Sequence, residues 1–236
     1  MFVKSVTYSE SLHLGVSLRS YRAEKLSAFV QALLAIEPNA SELYREIKDR
    51  YPIVLTRDMK KAREWLHSKV RGTERTGILV TKESARFKPL AIHVLPSGDE
   101  NAVHWFLEDK TDTRSSNYLE DAATEIQVQG LELDYTCLLW DADMRYENGK
   151  WRFYRFNGQT KWVEQTSSSE SKQELMKYML NAYRVLLTRA RSGMVICVPS
   201  GNPNKNPSGF WEDSTRLPEF YDGTYEYLKK IGIIEL

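Results

Sequence analysis

Residues 183–199, YRVLLTRARSGMVICVP, constrain the fold of this chain more than any other stretch. The second half, MVICV, is apolar and rich in β-branched residues without alternation. A central strand covered on both faces reads this way. The first half has helical spacing and ends in Thr188-Arg189-Ala190-Arg191, with Gly193 the expected helix stop. The residues alone leave the two arginines with two readings. Their planar donor forks suit a phosphate, or, as last-turn cations, they offset the helix dipole and cap carbonyls.

Upstream, strand and helix patterns alternate. Over residues 23–34, Leu26, Phe29, Val30, Leu33 and Leu34 fall at helical spacing. A second helix, capped at Ser41, runs to Tyr51. Residues 53–56 read as a strand, 57–70 as a helix with Ala62, Trp65, Leu66 and Val70 on one face, and 78–81 as another strand. This order predicts an α/β fold with a mostly parallel sheet flanked by helices. Residues 96–124 lack a clear period and read as an irregular insertion. Within it, Trp105 either stacks on a nucleic-acid base or pins the loop to the core. Residues 135–140 form a strand, and Asn148-Gly149 sets a β-hairpin insertion over 144–162. A Ser-rich loop, a helix over 174–191, a Pro/Asn/Gly-rich excursion over 200–218 and a last helix over 225–233 complete the chain.

The hydrophobic fraction of 42% and charged fraction of 28% are ordinary for a globular protein. Net charge is +1, so any nucleic-acid surface must be a local basic patch. Cys137 and Cys197 lie in apolar runs and read as free core thiols in a reducing compartment. No apolar run spans a membrane and the amino terminus has no signal-peptide pattern, which predicts a cytoplasmic protein without membrane partners.

Strand carboxyl ends are where open α/β sheets hold ligands. Thr81, Lys82, Ser84 and Arg86 follow one such strand, so their hydroxyls and cations can hold a nucleic-acid backbone. A solvated polar loop reads equally well. Gln127 and Gln129 are neutral donors suited to similar contacts, and Gly130 lets a backbone approach phosphate closely. Asp141 and Asp143 end an apolar run as a magnesium-holding acid does, but read here as strand-end loop acids, with no metal ligand set expected.

LLTRAR ahead of a strand resembles motif VI of superfamily 1 helicases. LNAYRVLLTRARSGMVICVP is more similar to an uncharacterised bacterial family of P-loop ATPases with a helicase-like core, related to the Schlafen-type ATPase domain. LGVSLRS resembles motif IV, with Ser17 and Leu18 where Asn and Tyr are common and Arg19 retained. TEIQVQGLELDYTCLLW resembles motif V through Gln129, Gly130, Glu132 and Asp134. The order IV, V, VI matches the helicase order. The resemblance implies a three-layer RecA-like fold over 1–236, the second motor domain of a nucleic-acid-dependent ATPase. It implies Arg189 and Arg19 as catalytic arginines at the γ-phosphate. Gln129, Gly130, Glu132 and Arg191 would lie on the nucleotide, Glu132 at a ribose hydroxyl.

No GxxxxGK[ST] loop occurs in the sequence. ATP and magnesium are therefore expected mainly on a missing upstream nucleotide-binding domain, with neither bound by this chain alone and no hydrolysis without that domain. The expected partners are that RecA-like domain and DNA or RNA. Two alternatives are a non-motor Schlafen-type ATPase regulatory domain and a metal-dependent nuclease using Glu132, Asp134, Asp141 and Asp143.

Overall fold

Alternation within single strands builds this molecule in three layers. The structure, a computed structural model, describes residues 18–96, 101–158, 161–166 and 170–236, without the side chains of 18–22 and 101. In chain order the elements are α1 (Leu18–Ala35), α2 (Ala40–Ile47), β1 (Ile53–Thr56), α3 (Met59–Lys69), β2 (Thr76–Val80), β3 (His93–Val94), α4 (Asn101–Leu107), β4 (Asp121–Thr124), β5 (Leu133–Leu139), β6 (Met144–Glu147), β7 (Lys150–Asn157), β8 (Lys161–Gln165), α5 (Glu170–Leu187), β9 (Ala190–Cys197), α6 (Glu219–Ile231) and β10 (Ile234–Glu235). Seven strands form one sheet in the order β10-β1-β9-β5-β2-β4-β3, and every neighbouring pair is parallel.

Successive residues of a strand face opposite sides of the sheet. Ile53, Leu55, Leu79, Leu138, Met194 and Ile196 join the core under α1, α2, α5 and α6. Val54, Ile78, Val80, Cys137, Leu139, Val195 and Cys197 join the core under α3. With both faces covered, the strands carry the unbroken apolar runs seen in the sequence. Both cysteines are buried and free.

The smaller sheet, β6-β7-β8, is an antiparallel meander rather than a simple hairpin. It docks on α6 through Tyr146 stacked on Tyr227, ring centroids 4.1 Å apart, and on the main core through Trp151 stacked on Trp140 at 5.5 Å.

Four expectations need correction. α5 ends at Leu187, and Gly193 lies inside β9. A Cβ at Gly193 would stand 2.8 Å from the Pro52 carbonyl oxygen, so close strand approach requires the glycine. α2 begins at Ala40 behind Asn39, with no side-chain cap, so Ser41 is not its cap. Residues 96–124 are not wholly irregular: they contain α4 and the interior strand β4, whose Ala122 and Ala123 are too small to give an apolar signal. The expected arm over 1–13, the run over 14–17 and part of the Ser-rich loop lie outside the described residues.

Candidate functional site

Residues of the segments 129–134 and 188–191 meet at the amino edge of the sheet. There β5 and β9 start side by side, and a cavity of about 360 Å³ opens between them and α1. Glu132, Asp134, Thr188, Arg189 and Arg191 line it, with Tyr51 and the α1 residues Ala23, Leu26 and Ser27 opposite. This volume lies within the range of small-ligand pockets.

Local pairing aims these side chains. Leu133 pairs with Ala190 and Tyr135 with Gly193, so Arg191 and Ser192 share the place opposite Asp134. Such bulges bend a strand and redirect its side chains. Arg191 thereby reaches Asp134 at 3.2 Å and Glu132 at 3.8 Å. Asp134 also accepts the Arg75 backbone N–H at 2.8 Å, tying β2 to the site.

Arg189 sits at the exit of α5. Its guanidinium donates one hydrogen bond, 3.0 Å long, to the Leu131 carbonyl. Its Nε is buried with no hydrogen-bond partner among the described residues. Burial pulls the group below the usual arginine range, and nearby Glu132 partly offsets this. Arginine stays charged regardless, so the site holds a fixed cation with spare donor capacity.

Gln129 and Gly130 lie exposed at the turn before β5. Gly130 has φ +79°, and a Cβ there would meet nothing within 4 Å. The left-handed turn alone accounts for the glycine, so close approach of another group is not needed. Arg19 lies in the first turn of α1, one turn before Ala23, with its side chain outside the description.

The opposite, carboxyl edge holds the residues expected at nucleic acid, and the structure revises that set. Thr81 is 3% exposed and Ser84 8%. The Thr81 hydroxyl donates to Asp143 at 2.6 Å and lies 3.0 Å from the Ser84 hydroxyl, so neither is offered to a backbone phosphate. Gln127 is occupied internally: its oxygen accepts from the Thr124 N–H and hydroxyl, and its nitrogen donates to the Leu95 and Pro96 carbonyls. Trp105 is buried and donates to the Asp121 carbonyl, so it pins α4 and offers no stacking face. Lys82 is exposed, its ammonium 4.1 Å above the Tyr178 ring. Arg86 is half-buried and pairs with Asp213 at 3.1 Å.

Asp141 and Asp143 lie in the loop after β5, where both are buried. Asp141 accepts four hydrogen bonds, from the N–H groups of Ala142, Ala85 and Arg86 and from the Tyr221 hydroxyl. Asp143 accepts from Thr81 and from Tyr183. Burial pushes both carboxyls up, Asp143 to about 7 with repulsion from Asp141 adding to the shift. Asp141 has the better-compensated charge, three of its donors being backbone N–H groups. The pair fixes the loop over 81–86 on β5, α5 and α6. A strand-end Asp-x-Asp was visible in the sequence, but its hydroxyl partners are distant along the chain.

The nuclease reading does not fit this arrangement. Glu132 and Asp134 lie at one end of β5 and Asp141 and Asp143 beyond the other, roughly 20 Å apart for a seven-residue strand. Among the described residues no group of three or more His, Cys, Asp or Glu is placed to hold a metal ion.

The family description "Schlafen group 3, DNA/RNA helicase domain" matches residues 3–200, which is most of the chain and includes both edges described above. The chain belongs to the Schlafen group 3 helicase-domain family. No curated protein and no solved structure matches it. Membership gives the Schlafen group 3 domain an ATPase- or helicase-related function in broad terms. Among its described residues no helix is long and apolar enough to cross a membrane.

Proposed function

We propose that this Schlafen group 3 domain is the second, RecA-like half of a nucleic-acid-dependent ATPase, and that Arg189 acts on ATP held by a P-loop on another domain. The observation that carries this reading is the convergence of Arg189, Arg191, Glu132 and Asp134 on one amino-edge cavity. A cation fixed at such a cavity is useful where charge develops during a reaction, because it needs no reorganisation.

ATP and magnesium, bound mainly by the other domain, would supply the phosphoryl group to be cleaved. The residues of this chain supply position and charge. Arg189 is held by the Leu131 carbonyl and lines the cavity with a fixed positive charge. Arg191, steadied by Asp134 and Glu132, adds a second cation at the rim. Glu132 accepts a ribose hydroxyl, with Gln129 and the Gly130 turn beside it. Arg19, at the start of α1, is the second γ-phosphate arginine of this proposal. Domain closure around the nucleotide moves a DNA or RNA strand across the carboxyl edge, where Lys82 and Arg86 lie. Two free buried thiols suit a reducing, cytoplasmic setting.

With the P-loop domain of this proposal present, Arg189→Ala is expected to lower ATP turnover by about 10³–10⁵-fold, as loss of an arginine finger does, with little change in ATP affinity. Unchanged turnover refutes the assignment. A non-motor Schlafen-type ATPase would use the same arginine, and its hydrolysis would not respond to added single-stranded nucleic acid.

A further inference from the structure

Beyond β9 the chain forms a small hairpin over residues 202–212 that displays aromatic side chains to solvent. Its ends are held by the bridge of Lys205 to Trp211 and by the Glu212 N–H donating to the Asn204 carbonyl. Its tip is shaped by Asn206, whose side-chain oxygen accepts from the N–H groups of Ser208 and Phe210. On this hairpin Phe210 is 72% exposed and Trp211 40%. The Lys205 ammonium lies 4.5 Å from the Trp211 ring centroid. Ordered backbone therefore holds two large apolar rings and a cation in water.

The hairpin base is fixed. Asp213, two residues after Trp211, pairs with Arg86 and accepts from both the N–H and the hydroxyl of Thr215. The Trp162 indole donates to the Thr215 carbonyl, binding the base to the smaller sheet as well. Trp211 thus lies two residues from the ion-pair partner of Arg86, on the carboxyl edge that also bears Lys82.

We propose that this hairpin is a stacking platform for single-stranded nucleic acid, with bases on Phe210 and Trp211 and phosphates met by Lys205 and by Lys82 on the same edge of the sheet. Exposed rings beside cations match the two chemical parts of a single strand, because every base has a π-face and every linkage an anion. A duplex keeps its base faces stacked inside and offers the rings little. The proposal rests on the nucleic-acid-dependent reading above, and assigns that reading a contact surface opposite Arg189.

The test is fluorescence anisotropy with labelled twenty-residue oligo(dT), oligo(U) and a blunt DNA duplex. The parent is expected to bind at least one single strand more tightly than the duplex, and the two single-strand arms tell DNA from RNA. Phe210→Ala and Trp211→Ala should each weaken single-strand binding by roughly 5- to 100-fold, with Trp211→Phe retaining most of the affinity. The slope of affinity against salt should be unchanged in Phe210→Ala and shallower in Lys205→Ala, which removes a phosphate contact. Matching thermal melts establish that the variants fold, as expected for exposed side chains. Alanine variants that bind like the parent overturn the platform, as does a parent that binds neither single strand. The Arg189 assignment fails separately, on ATP turnover with the hairpin intact.

Discussion

The Tyr183 hydroxyl donates a 2.7 Å hydrogen bond to Asp143, joining α5 to the loop that follows β5. The Thr81 hydroxyl donates to the other oxygen of that carboxyl at 2.6 Å. Tyr183→Phe leaves one buried oxygen without its donor. Stability should fall by about 1–3 kcal/mol, read from urea unfolding with an unchanged m-value. No loss would mean that Asp143 is not held through Tyr183.

Asp143 also sets a pH dependence. Burial and the neighbouring Asp141 raise its carboxyl to about 7, whereas an unfolded Asp titrates near 3.9. Below about pH 4 both states keep the proton. Between about pH 4 and pH 7 the unfolded chain has released it while the native protein retains it, so stability falls as pH rises and levels off above about pH 7. Asp143→Asn should make that fall shallower, with Asp141, also shifted upward, keeping its own share. Urea midpoints from pH 4.5 to pH 8 check this. A parent that gains stability across this range contradicts the sign.

Much of the layering was legible because its signals are local. MVICV announced a doubly covered strand and became β9, and Ile53–Thr56 has the extent read from sequence. Local signals failed where packing decided the outcome. β4 is built on Ala122 and Ala123, which only a crowded interior makes strand-like. Gly193 reads as a helix stop, yet it is needed where β9 approaches Pro52. At the site, Glu132, Asp134, Arg189 and Arg191 were singled out by resemblance to helicase motifs V and VI, and they line one cavity. Thr81, Ser84, Gln127 and Trp105 have suitable chemistry for nucleic acid, but their partners lie elsewhere along the chain and turn them inward.

Gly193→Ala forces a Cβ to within 2.8 Å of the Pro52 carbonyl oxygen, and backbone cannot yield as a flexible side chain does. The expected loss is about 1–3 kcal/mol, typical of overpacking. Thermal and urea unfolding measure it. Parent-like stability would show that β1 and β9 approach less closely.

Trp105→Ala should act on stability. The ring is 1% exposed and its N–H serves the Asp121 carbonyl. Truncating a buried aromatic costs about 3–5 kcal/mol. The unfolding midpoint should drop accordingly, and near-ultraviolet circular dichroism should lose the signal of an immobilised indole. A variant that is stable but selectively defective in oligonucleotide binding would restore Trp105 as a stacking residue.

β9 begins one residue after Arg189 and ends shortly before the hairpin that carries Phe210 and Trp211. Its eight residues span roughly 26 Å, and β1 and β5 grip it along both sides. A rod so clamped resists independent sliding. Under the proposed domain closure, movement imposed at its arginine end would reach the aromatic end as tilting of the whole slab, so that the domain would work as a lever.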